Sequence, residues 1–205
     1  MTFIKILILV TLLHALLRLN NKIKINLFLT ILLFISVVNE ILSYFLLNQN
    51  YKISLNATIY IIFSTIIWLN IIYIIFQRQK IILLLLLSFL IISLFNLLIG
   101  QGYNSFNTYT FIIGSIIYIG LFIFEIIKKI KQEDLTFFQK NEFLLSIIPV
   151  IFFLFFSFMF AFNNKKILLF TVFDKLILYS FLGNLANIVY YGLINLYIFN
   201  DHRTK

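Results

Sequence analysis

Seven windows of the chain are apolar for long enough, or nearly long enough, to cross a bilayer, and short polar segments separate them. A helix needs about 20 consecutive apolar residues to traverse the hydrocarbon core. The windows run from Phe3 to Leu19, Ile25 to Leu47, Leu55 to Phe76, Ile81 to Ile99, Phe106 to Ile127, Phe143 to Phe162 and Leu176 to Phe199. Runs such as Ile81 to Leu87 are apolar on every side. That fits a helix in lipid and not the alternating pattern of a membrane strand. The first window is short and stands where a secretory signal would also stand. Leu16-Leu17-Arg18-Leu19 offers no small-residue cleavage pattern, so the window is expected to persist as a helix. Ile167 to Phe173 is apolar but too short to cross, and the stretch from Lys165 to Lys175 is expected to be an interfacial or loop segment before the last helix. The expectation is an all-α, single transmembrane domain over residues 1–205, with about seven membrane-spanning helices.

The connections are short and polar: Asn20 to Lys24, Asn48 to Ser54, Gln77 to Lys80, Gly100 to Ser105, Lys128 to Glu142 and Asn163 to Lys175. Neighbouring helices must then run antiparallel, and the loops alternate sides. Arg18, Lys22, Lys24, Arg78, Lys80, Lys128, Lys129, Lys131, Lys140, Arg203 and Lys205 fall on one side, eleven in all, against Lys5, Lys52, Lys165, Lys166 and Lys175 on the other. Cytoplasmic loops collect Lys and Arg, so the N-terminus is expected outside and the C-terminus in the cytoplasm. The Lys128 to Glu142 loop mixes four lysines with Glu133, Asp134 and Glu142 and is expected to be the largest inner surface.

Composition closes the soluble alternative. Of 205 residues, 62% are hydrophobic and 11% charged, against about 45–50% and about 25% in an average soluble domain. One proline and six glycines leave few breaks, and no helix interrupted by a central Gly or Pro, the pointer to transporter sites, is expected. The absence of cysteine removes disulfides and thiolate metal sites. A net charge of +9 would suggest nucleic acid in a soluble protein. Here the basic residues stand at helix ends, so lipid and not nucleic acid is the expected partner.

Ionisable and polar groups inside a membrane are functional-site hypotheses by default. Glu40 falls within the second helix, about 10 Å from its outer end, on one face with Ser36, Ser43 and Tyr44. It reads either as a ligand or proton site or as a carboxylate hydrogen-bonded to a neighbouring helix. His14 shares a stripe with Thr11 and Arg18 and reads as a structural hydrogen-bonder. On the last helix Ser180, Asn184, Asn187, Tyr191 and Asn195 make a polar line expected to point into the bundle. On the fifth, Asn107, Thr110, Gly114, Tyr118 and Glu125 make another, with Gly114 and Ser115 small enough for close helix approach. Both lines are explained by interhelical hydrogen bonds or by a polar cavity. Such a cavity would open outward, because Glu40, Asn96, Gln101, Asn107, Thr108 and Asn184 all fall on the outer half. Trp68, Tyr73, Tyr109 and Tyr197 are expected in aromatic belts. No phosphate loop, His-Glu-x-x-His pair or Gly-x-Ser-x-Gly elbow occurs, and no cofactor or metal is expected. A retinal-binding lysine has no counterpart at Asn187 and Ile188.

Phe106-Asn107-Thr108-Tyr109-Thr110, followed by Gly114-Ser115, resembles a motif of hydrophobic seven-helix proteins of similar size in Bacteroidota, often encoded beside sensor histidine kinases. Glu40 with Tyr44, and Asn187 with Tyr190 and Tyr191, resemble that family's second-helix and last-helix patterns. Ser64 departs from it, standing where the family often carries a second glutamate. The resemblance implies membrane signalling by association. The leading expectation is thus a non-enzymatic sensory or accessory signalling protein of the bacterial inner membrane. Its outer half would perceive a lipid, small molecule or membrane state through Glu40, Asn107, Thr110 and Asn187, with a membrane sensor kinase as partner. A small transporter or channel is the alternative, and a membrane lipid hydrolase, which would need a second acid near Glu40, the third.

Overall fold

The computed structural model describes residues 3–77, 79–161, 171–172 and 176–203. These contain seven long α-helices: α1 (Phe3–Arg18), α2 (Lys24–Asn48), α3 (Ser54–Phe76), α4 (Gln79–Phe95), α5 (Thr108–Lys131), α6 (Asn141–Ala161) and α7 (Leu178–Arg203). A π-helical turn, Asn96–Gly100, extends α4, and a 3-10 turn, Leu135–Gln139, precedes α6. Five helices are long and apolar enough to cross a membrane: α2, α3, α4 with its π-turn, α5 and α7. The helix α1, at 16 residues, spans only about 24 Å.

The windows expected from the pattern match these helices closely, with two corrections. The fifth helix continues through Lys131, so the expected Lys128 to Glu142 loop shrinks to a tight corner. Lys128, Lys129 and Lys131 are the last turn of α5, where cations oppose the negative end of the helix dipole. Lys129 Nζ sits 2.8 Å from Asp134 Oδ2 and over the Phe137 ring. The Lys129 ammonium, and then the Thr136 hydroxyl, hold the Asp134 carboxyl below the usual carboxylate range. Second, Leu176–Ile177 is not helical: it pairs antiparallel with Thr171–Val172, and α7 starts at Leu178. Apart from Thr171–Val172, the segment expected to lie at the interface, Lys165 to Lys175, is outside the described residues, as are Arg78 and Lys205.

Pro149 lies inside α6, which runs through it without interruption. It has no N–H to give to the carbonyl four residues back. Beside that gap the buried Tyr118 hydroxyl of α5 donates to the Ser146 carbonyl (3.0 Å). A neighbouring helix thus supplies a donor where the proline weakens the ladder. Tyr118→Phe is expected to lower stability by about 1 kcal/mol without changing the fold, read as a drop in thermal midpoint in detergent.

Packing follows from which faces are apolar and small. The helices α1, α2, α3, α5, α6 and α7 form a closed ring of neighbours, α3 also reaches α6, and α4 lies outside against α3 and α5. Gly114 makes the junction of α3, α4 and α5. A Cβ there would stand 3.0 Å from both Phe89 Cε2 and Thr65 Cγ2, so any larger residue makes a neighbour give way and glycine keeps the approach close. Away from these seams large apolar side chains remain outside, among them Leu84 (68% exposed), Leu98 (73%) and Ile116 (66%). In water such a surface would aggregate; hydrocarbon is the solvent that suits it.

A chain so poor in glycine ends its helices with other residues. Asn50, Gln77 and Glu133 all take positive φ just beyond α2, α3 and α5, a conformation that costs a non-glycine residue about 1 kcal/mol. At the end of α3 the Gln77 N–H returns to the Tyr73 carbonyl (2.9 Å), closing the last turn.

Candidate functional site

The polar residues inside the bundle fall into separate groups. The corner between α4 and α5 holds the Phe106 to Thr110 motif. Asn96, at the start of the π-turn, donates from Nδ2 to Thr110 Oγ1 (2.9 Å) and Gln101 Oε1 (3.1 Å). Its Oδ1 accepts the Gln101 N–H (3.2 Å). Gln101 donates to Thr108 Oγ1 (2.8 Å) and accepts the Tyr109 N–H (3.0 Å), which satisfies an open donor at the start of α5. Asn107 is buried, its backbone N–H reaching Thr58 Oγ1 of α3 (3.3 Å). Its side-chain nitrogen faces the Gly102 (2.9 Å) and Ser105 (3.3 Å) carbonyls. The motif therefore builds a self-satisfied corner, and Asn107 and Thr110 share it.

Glu40 lies elsewhere, between α1 and α2. Its Oε2 is 3.6 Å from Lys5 Nζ, and the same ammonium stands 5.2 Å above the Tyr44 ring. These three residues, with Ile8, Leu9, Val37 and Ile41, line a groove of about 580 Å³, within the range of small-molecule sites. The pair is part-exposed, with 25% and 33% of the Lys5 and Glu40 side chains open. Asn107, Thr110 and Asn187 do not line this groove.

One turn inward from Glu40, Ser36 Oγ lies 3.0 Å from the Tyr60 hydroxyl, and Tyr60 is also hydrogen-bonded to Tyr191 of α7. Trp68, expected in an aromatic belt, is instead 2% exposed and donates from Nε1 to the Tyr190 hydroxyl (2.9 Å). Its ring meets Tyr118 and Tyr190 edge to face. Tyr197 is buried as well, donating to Asn26 Oδ1 (2.9 Å), and Asn26 donates to Asp201 Oδ2 (3.1 Å). Tyr109, 62% exposed at the start of α5, and Tyr73, half-buried near the end of α3, stand nearer to where belt residues would.

The polar line on α7 divides. Its lower part points inward as expected: Asn195 Nδ2 donates to Thr11 Oγ1 (2.6 Å) and to the Tyr191 carbonyl (2.8 Å), and its Oδ1 faces His14 Nδ1 (2.8 Å). With the Asn195 nitrogen already donating, its oxygen must accept, so His14 carries hydrogen on Nδ1. His14 is thus a structural clamp between α1 and α7. The upper part does not face the core: Ser180 and Asn184 are exposed, and Asn187 donates to the Gly183 carbonyl of its own helix (2.8 Å). Asn56, which sequence reading passed over, ties α3 to the Asn39 and Ser43 side chains of α2 (both 2.9 Å).

Together these features define a lipid-facing helical bundle with a charged groove between α1 and α2. No family model, curated protein or solved structure matches the chain.

Proposed function

We propose that this is a multi-pass protein of the bacterial inner membrane, crossing seven times with its N-terminus outside and C-terminus in the cytoplasm. In this reading it has a non-enzymatic sensory or accessory signalling role. The perceiving site is the groove between α1 and α2, and its ligand is a single amphiphile that enters sideways from the bilayer. The carrying observation is the Lys5–Glu40 pair on an otherwise apolar groove wall. Charges in so apolar a setting are costly unless they are paired or used. The polar groups of the α4–α5 corner are already spent on one another. One turn along α2 from Glu40, Ser36 links α2 through Tyr60 and Tyr191 to α3 and α7. A sensor kinase, suggested by the resemblance, would read the cytoplasmic end.

The test is the stability of the purified chain with and without native membrane lipid, because a ligand that binds only the folded state raises its thermal midpoint. The wild type is expected to gain several degrees, and Glu40→Gln to weaken the lipid effect about tenfold, or about 1.4 kcal/mol. Equal gains in both would remove the groove from consideration. The alternative is a small transporter or channel. Solute flux in liposomes, unchanged by Glu40→Gln, would establish that reading over the first.

A further inference from the structure

We infer that the groove recognises a zwitterionic phospholipid headgroup of the phosphoethanolamine type, an assignment that rests on the groove being an amphiphile site. Lys5 Nζ and Glu40 Oε2 stand 3.6 Å apart, close enough to attract and too far for a good hydrogen bond. Each ion therefore keeps hydrogen-bonding capacity: the ammonium has three donors and the carboxylate two acceptor oxygens. In a poorly polar setting, removing one partner of such a pair leaves the other uncompensated. An anionic headgroup would engage Lys5 and repel Glu40, and a cationic one the reverse. A headgroup with both charges, joined by an ethylene bridge, gives each ion a new partner and leaves the site neutral. Its phosphate meets Lys5, and its ammonium meets Glu40 and the face of Tyr44, which Lys5 now occupies.

The apolar lining lies where acyl chains need it. Ile8 and Leu9 are one turn along α1 from Lys5, and Val37 is one turn along α2 from Glu40. Because α1 and α2 are antiparallel neighbours, both turns lie on the same side of the charged pair. A primary ammonium suits the site better than a trimethylammonium. It donates hydrogen bonds to a carboxylate, whereas a quaternary group needs an aromatic cage, and Tyr44 is the groove's single aromatic residue among those lining it.

The test uses the full chain in detergent, offered dioleoyl phosphatidylethanolamine, phosphatidylcholine and phosphatidylglycerol at equal mole fraction and read by native mass spectrometry. Diazirine-tagged acyl chains locate the bound lipid. The expected result is at least tenfold preference for phosphatidylethanolamine over phosphatidylglycerol, a smaller preference over phosphatidylcholine, and labelling of α1 and α2 near Ile8 and Val37. Lys5→Gln and Glu40→Gln should each erase the preference. The wild-type comparison decides the matter even if a variant fails to fold. Equal retention of phosphatidylglycerol, with label still in the groove, would overturn the headgroup assignment and leave the amphiphile site standing. Competition by free phosphoethanolamine as strong as by the lipid would overturn the choice of a lipid. Absence of label from α1 and α2 with every lipid would sink both readings.

Discussion

Gly114→Leu is expected to prevent the bundle from assembling. A Cβ at this position already stands 3.0 Å from Phe89 Cε2 and Thr65 Cγ2 and 3.3 Å from Thr65 Oγ1. Phe89 and Thr65 are themselves buried on α4 and α3, with nowhere to withdraw. Three further carbons would drive α5 away from both helices, at a cost of about 3 kcal/mol. Gly114→Ala should give a milder loss of about 1 kcal/mol, since a shift of a few tenths of an ångström relieves it. Gly120→Leu is the control, for a Cβ there meets open space. Yield of monodisperse protein and thermal midpoint in detergent would measure all three. Wild-type behaviour from Gly114→Leu would mean that α3, α4 and α5 do not meet as described.

The second large effect is expected at Asn96. Its side chain makes three hydrogen bonds that tie the π-turn to Gln101 and to Thr110. Asn96→Leu keeps the volume and removes all three, leaving the Thr110 hydroxyl and the Gln101 carboxamide each short of a partner at a cost of about 2 kcal/mol, while the Gln101 N–H keeps the backbone carbonyl of position 96 (3.0 Å). Gly100→Ala should reproduce part of that loss by another route. Its Cβ would fall 2.5 Å from Asn96 Oδ1 and push the carboxamide out of the network. Hydrogen exchange at the Tyr109 amide, which rests on the Gln101 carboxamide, is the direct readout, and it should be faster in either variant while α6 and α7 stay protected. Unchanged exchange would show that Asn96 does not hold the corner.

The helices were legible because a period of burial was not needed to find them: in lipid, length and uniform apolarity suffice. Where the reading strayed, a local pattern had two physical meanings. Lys128, Lys129 and Lys131 look like loop, yet cations stabilise a helix C-terminus, and α5 runs through them. Leu176 and Ile177 are as apolar as the helix that follows but pair as strand. Pro149 stood in plain view, and the donor beside it, Tyr118, lies 31 positions earlier on another helix. Of the candidate residues, Glu40 lies on a groove, while Asn107 and Thr110 belong to a corner. An Asn and two Thr at a helix start are themselves a turn-and-cap pattern, which could have suggested a structural role. Nothing in the sequence could pair Glu40 with Lys5, because that contact depends on how α1 leans on α2.

Trp68 is the chain's sole tryptophan, shut between Tyr118 of α5 and Tyr190 of α7. The molecule therefore carries a native fluorophore at the meeting point of three helices, with tyrosines on either side to feed it excitation energy. Emission on exciting those tyrosines reports whether the three helices are docked, so unfolding and refolding are observable in unlabelled protein, in real time and in any bilayer mimic.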